Sequence, residues 1–221
     1  MANKVKCKDT EKINKLGSHF VGLSKLLLFH RPSEKTLKLL KDLKGVTMVI
    51  TAQAKSECPE DVAKLCQQFD IKHFHIELNG ANKLLKMDQN TIEGVRKRVK
   101  ECFTELQSTK HVAVLHCARG VHRTGTVAYT LLRLGGLGKL ASFESLKTMR
   151  EETYKGVGDK RIKFAEDELI PYIANQMTKK GVEAEVEEAK DLKVAAELFG
   201  AGEKKLEDKS IQELKDDDDK K

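Results

Sequence analysis

Apolar positions recur along this chain with two periods, and the periods take turns. Val46–Thr51 (VTMVIT) and His111–Leu115 are short, nearly continuous apolar runs, the pattern of a strand buried on both faces. Lys72–Leu78 (KHFHIEL) alternates apolar and polar residues, the pattern of a strand with one covered face. Between and after these runs the period lengthens to that of a helix. One helix opens behind Pro32 and Ser33, carries Leu37, Leu39, Leu40 and Leu43, and closes at Gly45. A second covers Pro59–Phe69. A third starts from Asn90 as its cap, with Glu93 in the capping-box position, and lines Ile92, Val95, Val99, Cys102, Phe103 and Leu106 along one face. Further helices are expected over Thr124–Leu134, from Ser142 through Met149, and from Lys160 to Met177 with a kink at Pro171. Gly135–Lys139 and Gly156–Lys160 read as turns. Strands alternating with helices imply an α/β fold, a mostly parallel central sheet flanked by helices on both faces.

The pattern also divides the chain. Residues 1–16 read as a mobile lead-in, 17–178 as the folded domain, and 179–221 as a charged tail, helical or disordered. The tail's apolar positions Val182, Val186, Ala189, Val194 and Leu198 suit one face of an amphipathic helix, a docking element for a partner or for the domain itself. The net charge of +7 hides an asymmetry: residues 180–221 hold 9 Lys against 14 Asp and Glu, so the preceding residues stand at +12. A basic domain suits an anionic polymer, a lipid head group or a phosphoester, and equally a lysine-rich solvated surface.

Five cysteines, an odd number without C-x-x-C or Cys/His ligand spacing, argue against a disulfide framework and a structural zinc site. His73 and His75 face the same way along their strand, with no third ligand in view. No apolar stretch approaches membrane-spanning length, and the basic N-terminus lacks the apolar core of a secretory signal. These features fit a cytoplasmic protein, with the nucleus an open alternative.

The densest chemistry lies in residues 113–133, AVLHCARGVHRTGTVAYTLLR. A strand ends on His116 and Cys117, a short loop follows, and a helix begins after Arg123, Thr124 and Gly125. Moving a phosphoryl group without a metal needs a nucleophile that is anionic at neutral pH and leaves readily. A thiolate meets both needs once inward-facing backbone N–H groups and a helix N-terminus lower its pKa. The same nest of N–H groups, from Ala118, Arg119, Gly120, Val121 and His122, can cradle phosphoryl oxygens. Arg123 supplies the planar fork for two parallel hydrogen bonds, which lysine cannot. Thr124 can hydrogen-bond the thiolate, Gly120 permits a backbone geometry closed to other residues, Gly125 lets the helix pack closely, and His116 can orient the loop from behind.

These residues, His116-Cys117-Ala118-Arg119-Gly120-Val121-His122-Arg123-Thr124-Gly125, resemble the H-C-x-x-G-x-x-R-[ST]-G signature of the cysteine-based protein tyrosine phosphatases. The compact layout resembles the dual-specificity branch. The resemblance spans about Gly17 to Met177. It implies a phosphatase domain over 17–178, a phospho-cysteine intermediate at Cys117, phosphoryl binding by Arg123, no metal cofactor, and a phosphorylated protein as substrate: phosphotyrosine, with phosphoserine and phosphothreonine as further candidates. Thr124-Gly125 also resembles RNA 5′-triphosphatases and phosphoinositide phosphatases of the same superfamily. A phosphate-binding scaffold without turnover is the alternative outside enzymes.

The family's general acid lies about thirty residues before the cysteine. The loop Asn79–Asn90 holds one acid, Asp88, 29 positions before Cys117, so Asp88 is the candidate, with a helix-start role as its alternative. The family's Trp-Pro-Asp form is absent, and Glu77 is a distant second candidate. Without either acid, substrates with good leaving groups, such as phosphoanhydrides, are favoured. Cys58, after the first of the three predicted strands, resembles the partner thiol with which several such phosphatases protect their nucleophile as a disulfide.

Overall fold

A computed structural model of the chain describes residues 9–80 and 84–178. These fall into two units that divide between Ala174 and Asn175, and the first holds all the elements discussed below. A five-stranded sheet forms its centre: β1 (His19–Val21), β2 (Ser24–His30), β3 (Met48–Gln53), β4 (Lys72–Glu77) and β5 (Val112–Cys117), in the order β1-β2-β5-β3-β4. β1 pairs with β2 antiparallel, and every other pairing is parallel. The mostly parallel sheet with helices on both faces is the architecture the alternating periods imply.

One face is covered by α1 (residues 9–14), α2 (Glu34–Lys44) and α3 (Pro59–Gln68). Ile13, Leu37, Leu40, Val62 and Cys66 from these helices pack on Leu27, Phe29, Val49 and Val114 of the strands. The lead-in expected to be mobile over residues 1–16 is therefore structured where it is described. Ile13 is fully buried in this core, and one buried isoleucine outweighs the polar composition around it. The hairpin of β1 and β2 is a second correction, since the sequence reading began its strands at Val46. Gly22 turns this hairpin at φ 58°, and the run Leu26–Phe29 lies beside β5 at the sheet's centre.

The other face carries α4 (Gln89–Ser108) and α5 (His122–Leu134), with α6 (Lys139–Met149), α7 (Glu151–Val157) and α8 (Asp159–Phe164) packed around α5. The predicted buried face of α4 is the observed one, Ile92 through Leu106. α5 is buried from Arg123 to Leu132, which is why its sequence lacks a polar side.

Local chemistry sets the boundaries. The Ser33 hydroxyl accepts from the Thr36 N–H to start α2, and Gly45, at φ 68°, ends it in the left-handed conformation. The predicted turn over Gly156–Lys160 contracts to Gly158 alone, because α7 runs to Val157 and α8 starts at Asp159. A π-helical turn over Ala165–Leu169 precedes Pro171, where a kink is expected. Its wider path meets a proline that has no N–H and whose ring crowds the preceding turn. Among the described residues no helix is long and apolar enough to cross a membrane. The expected tail, 179–221, lies outside the described residues.

Candidate active site

The parallel register brings the C-terminal ends of β2, β3 and β5 together. His30 lies beside Cys117, and Thr51 beside His116. The chain leaves β5 at Cys117, loops through residues 118–121, and enters α5 at His122, two residues earlier than the hydrophobic period suggests. Arg123 and Thr124 thereby fall in the first turn of α5.

Three outside groups brace the loop by its carbonyls. The Arg150 guanidinium donates to the carbonyls of Arg119 (3.1 Å) and Gly120, the Thr153 hydroxyl donates to the Gly120 carbonyl at 2.7 Å, and the Arg31 N–H donates to the Ala118 carbonyl at 3.3 Å. Carbonyls tied back in this way leave the peptide N–H groups free to face an anion. Gly120 sits at φ 68°, and a Cβ there would lie 2.0 Å from the Phe29 carbonyl oxygen, so both backbone angle and space demand glycine. At Gly125 a Cβ would come within 2.7 Å of the Val157 side chain, so this glycine sets the close contact of α5 with α7.

Cys117 is 3% exposed. Burial pushes its thiol up, but donation from the Thr124 hydroxyl, from the N–H groups of Thr124 and Val121, and the Arg123 charge outweigh it and hold the pKa below the ordinary cysteine value. The Thr124 hydroxyl is fully buried, and its interaction with the Cys117 thiol is one of those that lower the thiol's pKa.

Arg123, 6% exposed, is gripped by a residue the sequence reading did not single out. Glu57 takes both terminal nitrogens of its guanidinium, Nη2 at 2.8 Å, while Nη1 also donates to the Leu78 carbonyl at 2.9 Å. The pairing holds the Glu57 carboxyl down at about 2, against the opposing effect of burial. Glu57 lies in the 3-10 turn Lys55–Glu57, where it also accepts from the Ala54 N–H at 3.0 Å. Arg31 steadies this turn through the carbonyls of Glu57 and Cys58. The available signal was the position of Glu57: beside Cys58, in the loop after a strand that pairs with β5.

His116 is fully buried behind the loop. Its Nδ1 lies 3.3 Å from the Cys117 carbonyl and so carries the proton, its Nε2 accepts from the Thr51 hydroxyl at 2.8 Å, and that hydroxyl accepts from His73 Nε2 at 2.9 Å. Burial pushes His116 down to about 3 and His73 to about 4. His75 turns its Nε2 to the Gln53 carbonyl at 2.8 Å. Among the described residues no group of His, Cys, Asp and Glu is arranged to hold a metal.

These two histidines make the fold sensitive to mild acid. Both pKa values lie below the unfolded value of 6.5, so their stabilising effect is complete above pH 6.5 and is lost as pH falls toward 4 and then 3. At pH 5 each group gives up about 2 kcal/mol. Urea unfolding at pH 7 and pH 5 is expected to show a loss of about 4 kcal/mol, and a Thr51→Val, His73→Phe, His116→Asn variant a much smaller one. An equal loss in both proteins would refute the assignment.

The remaining residues are placed as follows. Arg119 is exposed, and His122 is half-buried with its pKa lowered by burial and by the Arg161, Arg119 and Arg123 charges. Cys58 is exposed, in a left-handed conformation at φ 52°, and both it and Cys117 are free thiols. Asp88, not Asn90, is the N-cap of α4. Its carboxylate accepts from the Thr91 N–H at 2.9 Å and the Thr91 hydroxyl at 2.7 Å, and both bonds lower its pKa. Glu77 pairs with Lys55 at 3.3 Å. The geometry thus gathers Cys117, Arg123, Thr124 and His116 around one loop and commits Asp88 to a helix cap.

A family model described as "Tyrosine phosphatase family" matches residues 9–141. No curated protein matches the chain significantly. Among solved structures, the core catalytic domain of the PP-IP phosphatase Siw14 from S. cerevisiae, in complex with citrate, is similar with a TM-score of 0.52 at 16% identity. The match covers 75% of this chain and 92% of that one. PTPMT1 is similar with a TM-score of 0.55 at 15% identity over 73% and 99% of the two chains, and its complex with PI(5)P with 0.54 at 14% over 72% and 98%. At these identities the likeness is one of fold.

Proposed function

Since the chain belongs to the tyrosine phosphatase family, we propose that it hydrolyses phosphate esters and anhydrides with good leaving groups through a phospho-cysteine at Cys117. The observation that carries this reading is the pairing of a thiol of lowered pKa with a guanidinium fixed by Glu57. The Cys117 thiolate attacks phosphorus and forms the S–P bond as the P–O bond to the leaving group breaks. Arg123 and the loop N–H groups balance the charge on the three equatorial oxygens. Water then attacks phosphorus, the S–P bond breaks, and the thiolate returns as phosphate departs. Thr124 donates to the sulfur as it leaves.

The leaving group follows from Asp88. A carboxylate held by Thr91 with a lowered pKa is a poor proton donor near neutrality. The departing oxygen must then bear its own charge, as a phenolate can, and a phosphate of a broken anhydride more easily still. Phosphotyrosine fits this reading better than phosphoserine or phosphothreonine. Cleavage of an anhydride, the second reading, draws support from the same cap and from the fold shared with a PP-IP phosphatase.

A series of aryl phosphates of increasing leaving-group pKa tests the proposal, assayed in EDTA and reductant. The rate should fall steeply along the series, and Asp88→Asn, which can still cap α4, should keep kcat within about threefold. A flat series together with a large loss in Asp88→Asn would show that Asp88 leaves its cap and protonates the product, and would sink the leaving-group restriction. No turnover of any member by the native protein would sink the phosphatase reading for aryl esters.

A further inference from the structure

A cavity of about 460 Å3 lies between the turn Leu84–Lys86 and the start of α8. Its charged side chains are Lys86, Lys160 and Arg161, against one carboxylate, Asp159. Gly158 at its edge follows the end of α7, where Val157 packs against Gly125 of α5 and a Cβ on Gly156 would lie 2.3 Å from a methyl of Val121, the loop residue that precedes α5. Arg161 is fixed by donation to the Val157 carbonyl at 3.1 Å, and its charge reaches His122 in the first turn of α5. Lys86 and Lys160 are exposed and form no ion pair among the described residues. A net positive cavity flanking a phosphoryl site is poorly matched to a lone ester, whose one phosphate the loop already takes.

We propose that this cavity is a second anion subsite, in which Lys86, Lys160 and Arg161 hold another phosphate group of a substrate whose reacting phosphate sits between Cys117 and Arg123. The proposal rests on the phosphatase reading for its orientation, and it names the substrate class: a small molecule or head group bearing two or more phosphates. Arg161 contributes a positive charge whose position its Val157 contact helps to fix, and the two lysines supply mobile point charges around it.

The test compares the binding of inorganic phosphate, which fills the loop alone, with that of inositol hexakisphosphate, which can reach both sites. Both are titrated by calorimetry into the Cys117→Ser protein, so the measurement does not depend on turnover. If the phosphatase reading fails, aryl phosphate hydrolysis is absent but this binding comparison still stands. The hexakisphosphate should bind at least about tenfold tighter than phosphate, and adding Lys86→Gln and Lys160→Gln should cut that advantage about tenfold or more. Adding Lys38→Gln and Lys64→Gln instead, at exposed positions on α2 and α3 across the sheet, should leave most of it. An advantage unchanged by the first pair, or lowered as much by the second, would overturn the subsite. Vesicles containing phosphatidylinositol bisphosphate, sedimented with the same proteins, separate the sources: retention lost with the first pair assigns a lipid-borne head group, and no retention by any protein assigns a free polyphosphate.

Discussion

Replacing Cys117 by serine is expected to lower kcat toward para-nitrophenyl phosphate by at least about 10⁴-fold. The loop lowers the thiol pKa through the Thr124 hydroxyl, the Thr124 and Val121 N–H groups and the Arg123 charge, acting against burial. The same donors cannot bring a serine hydroxyl, whose pKa starts far higher, to its anion near neutrality. Inorganic phosphate should bind the Cys117→Ser protein as tightly as the native one or tighter, because removing the thiolate removes a negative charge facing the phosphate. Residual turnover above about 1% would mean that Cys117 does not attack phosphorus, and loss of phosphate binding would mean that the substitution had disturbed the loop.

The second large effect is expected at Glu57. Glu57→Gln keeps the shape of the side chain but removes the charge that grips both terminal nitrogens of Arg123. An amide N–H₂ then faces a guanidinium, and the fork loses its fixed orientation. kcat/KM should fall about 100-fold, in line with removing one member of a largely desolvated charge pair. Stability should fall with it. The Glu57 pKa drops from 4.5 to about 2 on folding, which corresponds to about 3 kcal/mol, present above pH 4.5 and lost as pH falls through 2. The stability difference between native and variant proteins should therefore be the same at pH 7 and pH 6. Glu57→Asp, with a shorter reach, should recover only part of the loss. A Glu57→Gln variant with native kcat/KM would show that Leu78 and the α5 backbone alone position Arg123.

The proposed nucleophile was legible in the sequence and its supports were not, for a physical reason. Cys117, Arg123, Thr124 and Gly120 lie within eight residues, so their spacing along the chain carries their chemistry. Glu57 is 66 residues from Arg123, and Arg150 and Thr153 are 30 and 33 from Gly120. Those contacts exist only once β3 pairs with β5 and α6 hands over to α7, and no local pattern announces them. The fold shows the same division. Strands and helices with strong periods, such as β5 and the apolar face of α4, were readable. β1 and α1 were not, because three residues and a lone buried Ile13 are too short to show a period, while β2 was missed although its run Leu26–Phe29 is as long as that of β5. The start of α4 was misread by two residues because Asp88 and Asn90 are both good caps, and the choice is made by the Thr91 hydroxyl that bonds Asp88.

The bracing of the loop from behind bears on how this domain can be divided. The family model covers residues 9–141 and so includes every strand of the sheet and the loop itself. Yet Arg150 and Thr153, which hold the Gly120 carbonyl, lie beyond it, as does Val157, against which Gly125 packs. A fragment ending at residue 141 would carry the whole signature and the whole sheet, with the carbonyl at the centre of the loop stripped of the two donors that fix it. The motif is not a cassette: its curvature depends on a stretch of chain that carries none of its letters, and a graft of the loop alone would leave that bracing behind.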